Sequence, residues 1–353
     1  MHVDVATGPS RNRCASRSWH RAKVYHFSIK GGTYFRDPIR GEIKRYQLFL
    51  KSGNWDAIFF HTYEWPLRLA LPLLDSIHGK KVLISHGYRA LRWIPNKRFP
   101  FGLGVFFSTF FQFCRIPFWV FKFDRWIFLS AKKDLGSFLD HWMAQALRHP
   151  GIRIIPNSID PRKCGQGGVF RKKMGFARSD FVFLCVGYFS KGKNQILAVR
   201  SFLKAGLDNS RLVFIGPKQN EWYFQFKKAV RSDLLRRTNS QIIWLTRQTR
   251  KLTLDAFAGC NVVVSSSFLE TQPFCLLEGM REAKPWIAVP AGCISDFEGG
   301  ICVRGEKEMA AAMKLLASDS PLRLRLGRQG RRAIQQKYSL KKCAQAFLGL
   351  LQE

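Results

Sequence analysis

Short apolar runs alternate along the chain with stretches of helical pattern, and this alternation constrains the fold more than any other feature. Short runs of this kind, bounded by turn residues, are typical of strands buried in a parallel sheet, with helices as the crossovers. In the first half the predicted strands are 24–29, 57–60, 81–85, 126–130 and 152–155. In the second half they are 181–186, 212–215, 242–245, 262–264 and 286–289. The pattern predicts an α/β fold with two successive parallel sheets.

A segment rich in turn-forming residues separates the two series of strands. Residues 156–160 (PNSID) have the chemistry of a turn, and Gly, Lys and Arg are frequent in the residues that follow. A chain of 353 residues has the length of two domains at about 100–200 residues each. The predicted parts are a disordered polar tail at 1–20, an α/β domain at 21–160 that is shortened at its start, an α/β domain at 161–335, and a C-terminal helix at 336–353.

The chain is strongly basic, with 58 Lys and Arg residues against 24 Asp and Glu residues and a formal net charge of +34. This excess indicates an anionic partner: a nucleic acid, an anionic membrane surface or a phosphorylated ligand. A hydrophobic content of 46% excludes a disordered chain. The nine cysteines include no CxxC pair, which argues against a zinc site or a disulfide framework. Because residues 1–20 also lack the apolar core of a secretory signal, the expected location is cytoplasmic.

Two glutamates flank a predicted helix start in the second half. Glu270 lies in the loop after the strand 262–264, and Glu278 lies over a turn inside the helix that Pro273 is expected to begin. The free amides of this first turn would bind a phosphate, and they belong to Phe274, Cys275 and Leu276. Carboxylates accept hydrogen bonds from sugar and ribose hydroxyls, so the pattern suits a sugar nucleotide. Taken alone, each glutamate is explained at least as well as a cap or a solvated helix residue.

A glycine- and lysine-containing loop follows the strand 181–186. It runs from Gly187 to Lys193 (GYFSKGK), includes Lys191, and leads directly into a predicted helix. A glycine turn, a helix start and lysines between them form a phosphate site, although the spacing is neither a Walker A motif nor GxGxxG. A basic surface loop is an equally good explanation of this segment alone.

Histidines stand at the ends of two predicted strands of the first half. His86 follows the strand 81–85, and His61 and Glu64 follow the strand 57–60. Ligands of open α/β sheets bind at the carboxyl ends of the strands, so these side chains are candidates to contact an acceptor. A single histidine is more often structural than catalytic.

Taken in order, these motifs resemble the family 4 glycosyltransferases, which are retaining enzymes of the GT-B fold. Glu270 and Glu278 match the E-x7-E motif of the family, and ETQPFCLLEG here is similar to its EGFPNVLLEA variant. The resemblance extends over roughly residues 55–350. Further segments that resemble the family are 85–86, 123–130, 154–160 (IIPNSID), 186–194 (VGYFSKGKN), 255–267 and 279–289 (GMREAKPWIAV).

The resemblance implies a role for each matching residue. Lys193 would neutralise the leaving diphosphate, Glu270 would contact the donor sugar, Glu278 would contact the ribose, and His86 would lie near the donor sugar and the acceptor. Gly187, Lys191 and the amides of the helix start would complete the donor site. No metal or other cofactor is expected, because the lysine and the helix dipole supply the positive charge. The implied fold is two Rossmann-like domains that face each other across a cleft, with a C-terminal helix that crosses back to the first domain.

Three features depart from the family pattern. Tyr188 stands where the family has an arginine, so the second cation must come from elsewhere, with Lys191 as a candidate. Thr271 stands where the family has a glycine, which would narrow the sugar pocket. The roughly thirty residues that normally provide the first strand, a glycine-rich loop and a helix of the first domain are missing or replaced. Gly31 and Gly32 are candidates for that loop, and a truncated start is the alternative.

The segment 99–114 (FPFGLGVFFSTFFQFC) has no charged residue and is dominated by phenylalanines such as Phe106 and Phe110. Cations including Arg92, Lys97 and Arg98 stand beside it. An aromatic segment edged by cations is typical of a helix that lies in an anionic membrane interface, and a core helix is the alternative. The uninterrupted apolar stretch is shorter than the about twenty residues of a membrane span.

The sequence therefore predicts a retaining glycosyltransferase that moves a sugar from a UDP- or GDP-linked donor to a saccharide or lipid-linked acceptor. The expected pathway is the synthesis of cell-surface polysaccharide or glycolipid, at the inner face of the cytoplasmic membrane. One alternative is a basic nucleic-acid-binding protein, against which the absence of an RNP, KH or zinc-finger pattern argues. A glycoside hydrolase would leave the loop at Gly187–Lys193 without a role. An inactive or truncated GT-B relative would keep much of the same pattern.

Overall fold

The computed structural model describes residues 3–7, 18–19, 22–31, 38–61, 64–87, 114–131, 138–231 and 241–353. The chain divides into two compact units. Unit 1 comprises Met1–Ile154 with Leu351–Glu353, and unit 2 comprises Ile155–Leu350. The division lies earlier than the expected boundary at 160, because the turn segment 156–160 bonds to residues of unit 2.

Unit 1 contains a parallel sheet with two smaller sheets. Its strands are β1 (Asp4–Thr7), β2 (Ser18–Trp19), β3 (Ala22–His26), β4 (Ile29–Lys30), β5 (Arg40–Gly41), β6 (Ala57–His61), β7 (Lys80–Ile84), β8 (Arg125–Phe128) and β9 (Ile152–Ile154). Its described helices are α1 (Ile43–Ser52), α2 (Trp65–Ala70) and α3 (Leu139–Ala146), with 3-10 turns at Leu71–Ser76 and Val120–Lys122. The main sheet has the order β6-β7-β8-β9, and all its pairs are parallel. This arrangement confirms the parallel α/β prediction for the first half.

The core of unit 1 is strongly aromatic. Trp126 and Phe128 on β8 are fully buried, and their rings pack with centroids 5.1 Å apart. Phe60 on β6 and Phe123 before β8 meet edge to face with centroids 6.0 Å apart. Burial of one such side chain stabilises the fold by about 1.5–3 kcal/mol. These contacts fix the strands whose carboxyl ends carry the candidate histidines.

Part of the segment expected to be a disordered tail is ordered. Residues 4–7 form β1, which pairs in parallel with β3 in the register Asp4↔Lys23 to Thr7↔His26. Ala6 packs against the aromatic core of unit 1. The expectation of disorder is wrong for these residues, because backbone pairing with a strand further along the chain replaces the apolar pattern that the segment lacks.

Unit 2 is built on one six-stranded parallel sheet. Its strands are β10 (Phe181–Val186), β11 (Ser210–Gly216), β12 (Gln241–Thr246), β13 (Val262–Ser265), β14 (Trp286–Ala288) and β15 (Gly300–Cys302). The helices are α4 (Gly167–Lys173), α5 (Gln195–Ala205), α6 (Glu221–Arg231), α7 (Arg250–Gly259), α8 (Phe274–Arg281), α9 (Glu306–Ser318), α10 (Ser320–Gln336) and α11 (Leu340–Gln352), with a 3-10 turn at Ile294–Asp296.

The strand order of unit 2 is β12-β11-β10-β13-β14-β15. Numbered from its first strand, this is the doubly wound order 3-2-1-4-5-6, in which the winding reverses between β10 and β13. Ligands of such sheets bind at this reversal, outside the carboxyl ends of the strands. The loops that follow β10 and β13 therefore lie at the expected ligand site, and they carry the two motifs singled out in the second half.

The C-terminal helix expected at 336–353 begins later in the structure, at Leu340, and a longer helix precedes it. The two helices, α10 and α11, are separated at residues 337–339. The separation has a tertiary cause, because Ile159 N donates to Tyr338 O and Leu340 N donates to Ile159 O, each at 3.0 Å. These bonds hold the backbone extended at Ser339, which pairs with Ile159 as a β-bridge.

The chain returns to unit 1 in its last three residues. Lys80 Nζ donates to Leu351 O at 3.0 Å. The Glu353 carboxylate accepts from Arg153 Nη2 at 2.7 Å and lies 3.3 Å from Arg125 Nη2. Among the helices in the part of the chain that the structure describes, none is long and apolar enough to cross a membrane.

Candidate active site

The loops after β10 and β13 are joined by direct hydrogen bonds. Phe268 N donates to Gly192 O at 2.9 Å, and Ser266 Oγ donates to Lys193 O at 3.1 Å. The strands that carry these loops are neighbours in the sheet, with Phe183 beside Val262. Motifs separated by more than seventy positions in sequence consequently form one site.

Lys193 and Glu270 form an ion pair at the centre of this site. Lys193 Nζ lies 2.5 Å from Glu270 Oε1, with 32% of the lysine side chain and 9% of the glutamate side chain exposed. Burial by itself lowers the pKa of Lys193, but the adjacent Glu270 carboxylate raises it, and the net pKa is above the usual 10.5. Lys193 therefore carries its positive charge throughout the neutral range, as a partner of an anionic phosphate must.

The rest of the loop at Gly187–Lys193 is held by backbone bonds. Gly187 N donates to Ile215 O at 3.0 Å, and Lys193 N donates to Ser190 Oγ at 3.2 Å. A Cβ at Gly187 would lie 3.9 Å from Cδ and Cε of Lys193, which is an ordinary van der Waals distance. The side chains of Tyr188 and Lys191 are exposed.

The loop that carries Glu270 is fixed from two sides. Cys293 N donates to Thr271 O at 2.9 Å, and Gly292 packs so closely that a Cβ there would lie 2.4 Å from Glu270 O. On the other side, the amide side chain of Asn157 donates to Gln272 O at 3.2 Å, and the backbone N of Asn157 donates to Gln272 Oε1. Gln272 is buried, and its pairing with Asn157 was not predicted from the sequence.

Helix α8 begins where the motif predicts, with one difference in its first turn. Pro273 is the N-cap, with extended backbone, and no side chain of the described residues caps this end. Leu276 N donates to Pro273 O at 3.2 Å, so its amide is not free as expected. Phe274 is half exposed and Leu276 is fully buried. The amides of Phe274 and Cys275 remain the candidates to bind an anion.

Two thiols lie close to the Lys193–Glu270 pair. Burial raises the pKa of Cys185 to about 12, and it also raises the pKa of Cys275. Both thiols are therefore protonated and uncharged at neutral pH. The sequence predicts a role for the amide of Cys275 only, and no sequence motif points to Cys185.

Glu278 is buried within α8 and paired with a residue that sequence reasoning did not single out. Its Oε1 accepts from Arg250 Nη2, at the first residue of α7. The glutamate side chain is 7% exposed and that of Arg250 is 57% exposed. The reading of Glu278 as a solvated helix residue is therefore wrong.

His86 lies beside His61 at the carboxyl ends of two strands of unit 1. Its Nε2 is 3.5 Å from Nδ1 of His61, and the rings stack with centroids 5.8 Å apart. Burial lowers the pKa of both histidines below the usual 6.5, and His61 lowers that of His86 further, so both are neutral at pH 7. Ser85 donates to the buried Asp140 carboxylate and accepts from Gly87 N at 3.0 Å, which fixes the backbone on either side of His86.

The residues proposed from the sequence to contact the membrane, Arg92, Lys97, Arg98, Phe106 and Phe110, lie outside the described residues. Within the described ranges, no three His, Cys, Asp or Glu side chains come together in a way that would hold a metal ion.

Comparison with known proteins assigns a class to unit 2. Residues 169–333 match the family model described as "Glycosyl transferases group 1". The whole of this match lies within unit 2. The matched segment contains the loop at Gly187–Lys193 and the motif from Glu270 to Glu278. The prediction that the chain is a glycosyltransferase enzyme is confirmed at this level. No curated protein sequence matches the chain.

Solved structures of glycosyltransferases share the fold of the whole chain. Sucrose-phosphate synthase from Thermosynechococcus elongatus matches with a TM-score of 0.76 and 15% identity, covering 99% of this chain and 88% of that one. Anabaena HepE, solved with UDP and glucose, matches with a TM-score of 0.67 and 14% identity, covering 94% of this chain and 86% of that one. A trehalose-phosphate synthase from Burkholderia xenovorans, solved with glucose-6-phosphate, matches with a TM-score of 0.67 and 12% identity, covering 88% of this chain and 77% of that one. The prediction of the GT-B fold, with two Rossmann-like domains, is confirmed.

Proposed function

We propose that this glycosyltransferase is a retaining enzyme of the family 4 type that uses a nucleotide sugar. The observation that carries the proposal is the Lys193–Glu270 pair, which stands beside the start of α8 at the reversal point of the unit 2 sheet. A partly buried cation and a helix start without a side-chain cap can bind a diphosphate. A nearly buried carboxylate can accept hydrogen bonds from sugar hydroxyls.

Each residue of the site has a part in the proposed reaction. Lys193 and the amides of Phe274 and Cys275 bind the diphosphate, Glu270 binds the donor sugar, and Glu278 binds the ribose. The bond between the anomeric carbon and the diphosphate breaks, and a bond to an acceptor oxygen forms on the same face of the sugar. The proton of the acceptor hydroxyl goes to the departing diphosphate.

The proposed reaction proceeds without a metal ion. Negative charge develops on the departing diphosphate, and fixed positive charge at that point lowers the barrier. The protonated Lys193 and the start of α8 supply such charge, with the exposed Lys191 in the same loop.

The donor and acceptor are proposed as classes of molecule. HepE was solved with UDP-glucose and the trehalose-phosphate synthase with glucose-6-phosphate. These neighbours favour a UDP-linked donor over the GDP-linked alternative. The acceptor is a saccharide or lipid-linked saccharide of cell-surface polysaccharide or glycolipid synthesis, and His86 is the unit 1 residue proposed to contact it. The proposed location is the inner face of the cytoplasmic membrane, through the cations and phenylalanines around 92–110.

Thermal unfolding with UDP, GDP, ADP and CMP tests the donor site. A nucleotide at about 100 times its dissociation constant stabilises the protein by roughly 2.7 kcal/mol, which raises the unfolding temperature measurably. We expect UDP to give this shift and Glu278→Ala to remove it. If none of the four nucleotides shifts the unfolding of the unmodified chain, the proposed function is overturned.

A further inference from the structure

Arg250 and Glu278 form a pair in which only the carboxylate is buried. The Glu278 side chain is 7% exposed, whereas the Arg250 side chain is 57% exposed. A carboxylate removed from water requires a hydrogen-bond donor, because leaving it unpaired costs several kcal/mol. Arg250 meets that need in this structure.

The position of Arg250 is unfavourable for helix stability. It is the first residue of α7, and the first turn of that helix contains no acidic residue. The helix dipole makes this end positive, so a cation there is repelled. Pairing with Glu278, which is on a different helix, offsets that repulsion.

The site has a need for a second cation. Tyr188 occupies the loop position next to Gly187, where its phenol offers no positive charge, and its side chain is exposed. A nucleoside diphosphate carries more negative charge than Lys193 alone neutralises, and Lys191, the other cation of the loop, has an exposed side chain. The ribose of the nucleotide also presents two neighbouring hydroxyls, which donate to a carboxylate as a guanidinium does.

We propose that Arg250 is a nucleotide-binding residue that changes partners: it pairs with Glu278 in the free enzyme, yields that carboxylate to the ribose hydroxyls when the donor binds, and then pairs with the phosphates. The proposal rests on the proposed function of the site. The long, exposed side chain of Arg250 permits the movement, and the carboxylate keeps a donor in both states.

Arg250→Ala separates these two roles when UDP and uridine are compared by competition calorimetry. We expect the dissociation constant of UDP to rise roughly tenfold or more, the effect of losing a charge-assisted hydrogen bond. Uridine has no phosphate to lose contact with, and in this variant Arg250 no longer competes with the ribose for the Glu278 carboxylate. The affinity for uridine should therefore stay the same or increase. The diagnostic quantity is the opposite response of the two ligands, and Arg250→Lys should restore part of the UDP affinity.

Lys251→Ala is the matched control. Lys251 is the neighbouring exposed cation, and its Nζ lies 2.9 Å from the buried carboxylate of Asp255, outside the proposed donor site. We expect this variant to bind UDP and uridine as the unmodified protein does. If Arg250→Ala weakens both ligands equally, or changes neither, Arg250 is only structural and the inference is wrong while the proposed function stands. If the unmodified protein binds no nucleotide, both are overturned.

Discussion

Among the neighbours of Lys193, Glu270 has the largest effect on its pKa. The adjacent Glu270 carboxylate raises the pKa of Lys193 in spite of the burial of the lysine, so the side chain is charged up to and beyond the usual lysine value of 10.5. The same carboxylate is the group proposed to bind the donor sugar. Binding of an anionic diphosphate beside Lys193 would allow Glu270 to turn to sugar hydroxyls without leaving the cation unpaired.

Replacement of Lys193 by alanine tests this role. We expect turnover to fall by at least one tenfold step, each step corresponding to about 1.4 kcal/mol of barrier height. The measurement is release of the nucleoside diphosphate from the donor at saturating concentration. Lys204→Ala is the control, because Lys204 pairs with Glu306 and lies in the last turn of α5, at the opposite end of that helix from the loop. A normal rate for Lys193→Ala would exclude Lys193 from the reaction.

At the scale of elements, two loops and one turn make the site. Neighbouring strands bring the loops after β10 and β13 together. The turn at Gly292 packs against the backbone of the loop that carries Glu270. Gly292 has a φ of +60°, and a Cβ there would lie 2.4 Å from Glu270 O and 2.5 Å from Thr271 O. Glycine is required by both the conformation and the space.

We predict that Gly292→Ala lowers both stability and nucleotide binding. A left-handed backbone costs a non-glycine residue about 1–2 kcal/mol, and the close carbonyl oxygens must also move. Thermal unfolding with and without UDP measures both effects. Gly305→Ala is the control, since no atom lies within 4 Å of its Cβ position and its φ is extended. Equal responses of the two variants to UDP would mean that the turn does not support the donor site.

At the scale of the whole molecule, a net charge of +34 exceeds what one nucleotide requires. The exposed face of α10 carries part of it, including Arg325, Arg328 and Arg332. Positive charge anywhere on the surface attracts any polyanion. Membrane docking by one segment differs from this general attraction in depending on the cations of that segment and not on those elsewhere in the chain.

Charge reversal at Arg92, Lys97 and Arg98 tests the proposed membrane segment. We expect the triple glutamate variant to lose binding to vesicles with anionic lipid in a sedimentation assay. The control reverses Arg325, Arg328 and Arg332, which changes net charge by the same amount. If both variants lose binding equally, general electrostatic attraction explains it. Steep salt-dependent binding to nucleic acid that ignores Glu278→Ala would instead favour the nucleic-acid alternative.

Sequence pattern by itself determined the strands and helices on either side of the candidate site in unit 2. The run at 181–186 coincides with β10, the helix expected from 194 coincides with α5, and the loop between them lies at the ligand edge of its sheet. Apolar periodicity and turn chemistry are local properties, so they can be read from neighbouring residues. The resemblance also placed Glu270 and Lys193 in the same motif set.

Tertiary structure alone decided which residues meet. The strand order brings Lys193 to Glu270, carries Arg250 to Glu278, and pairs Asn157 with Gln272. The same long-range pairing ordered residues 4–7 and interrupted the last helical stretch at 337–339. Such contacts join residues dozens of positions apart, and no local pattern encodes them, because they depend on which strands lie side by side in the folded sheet.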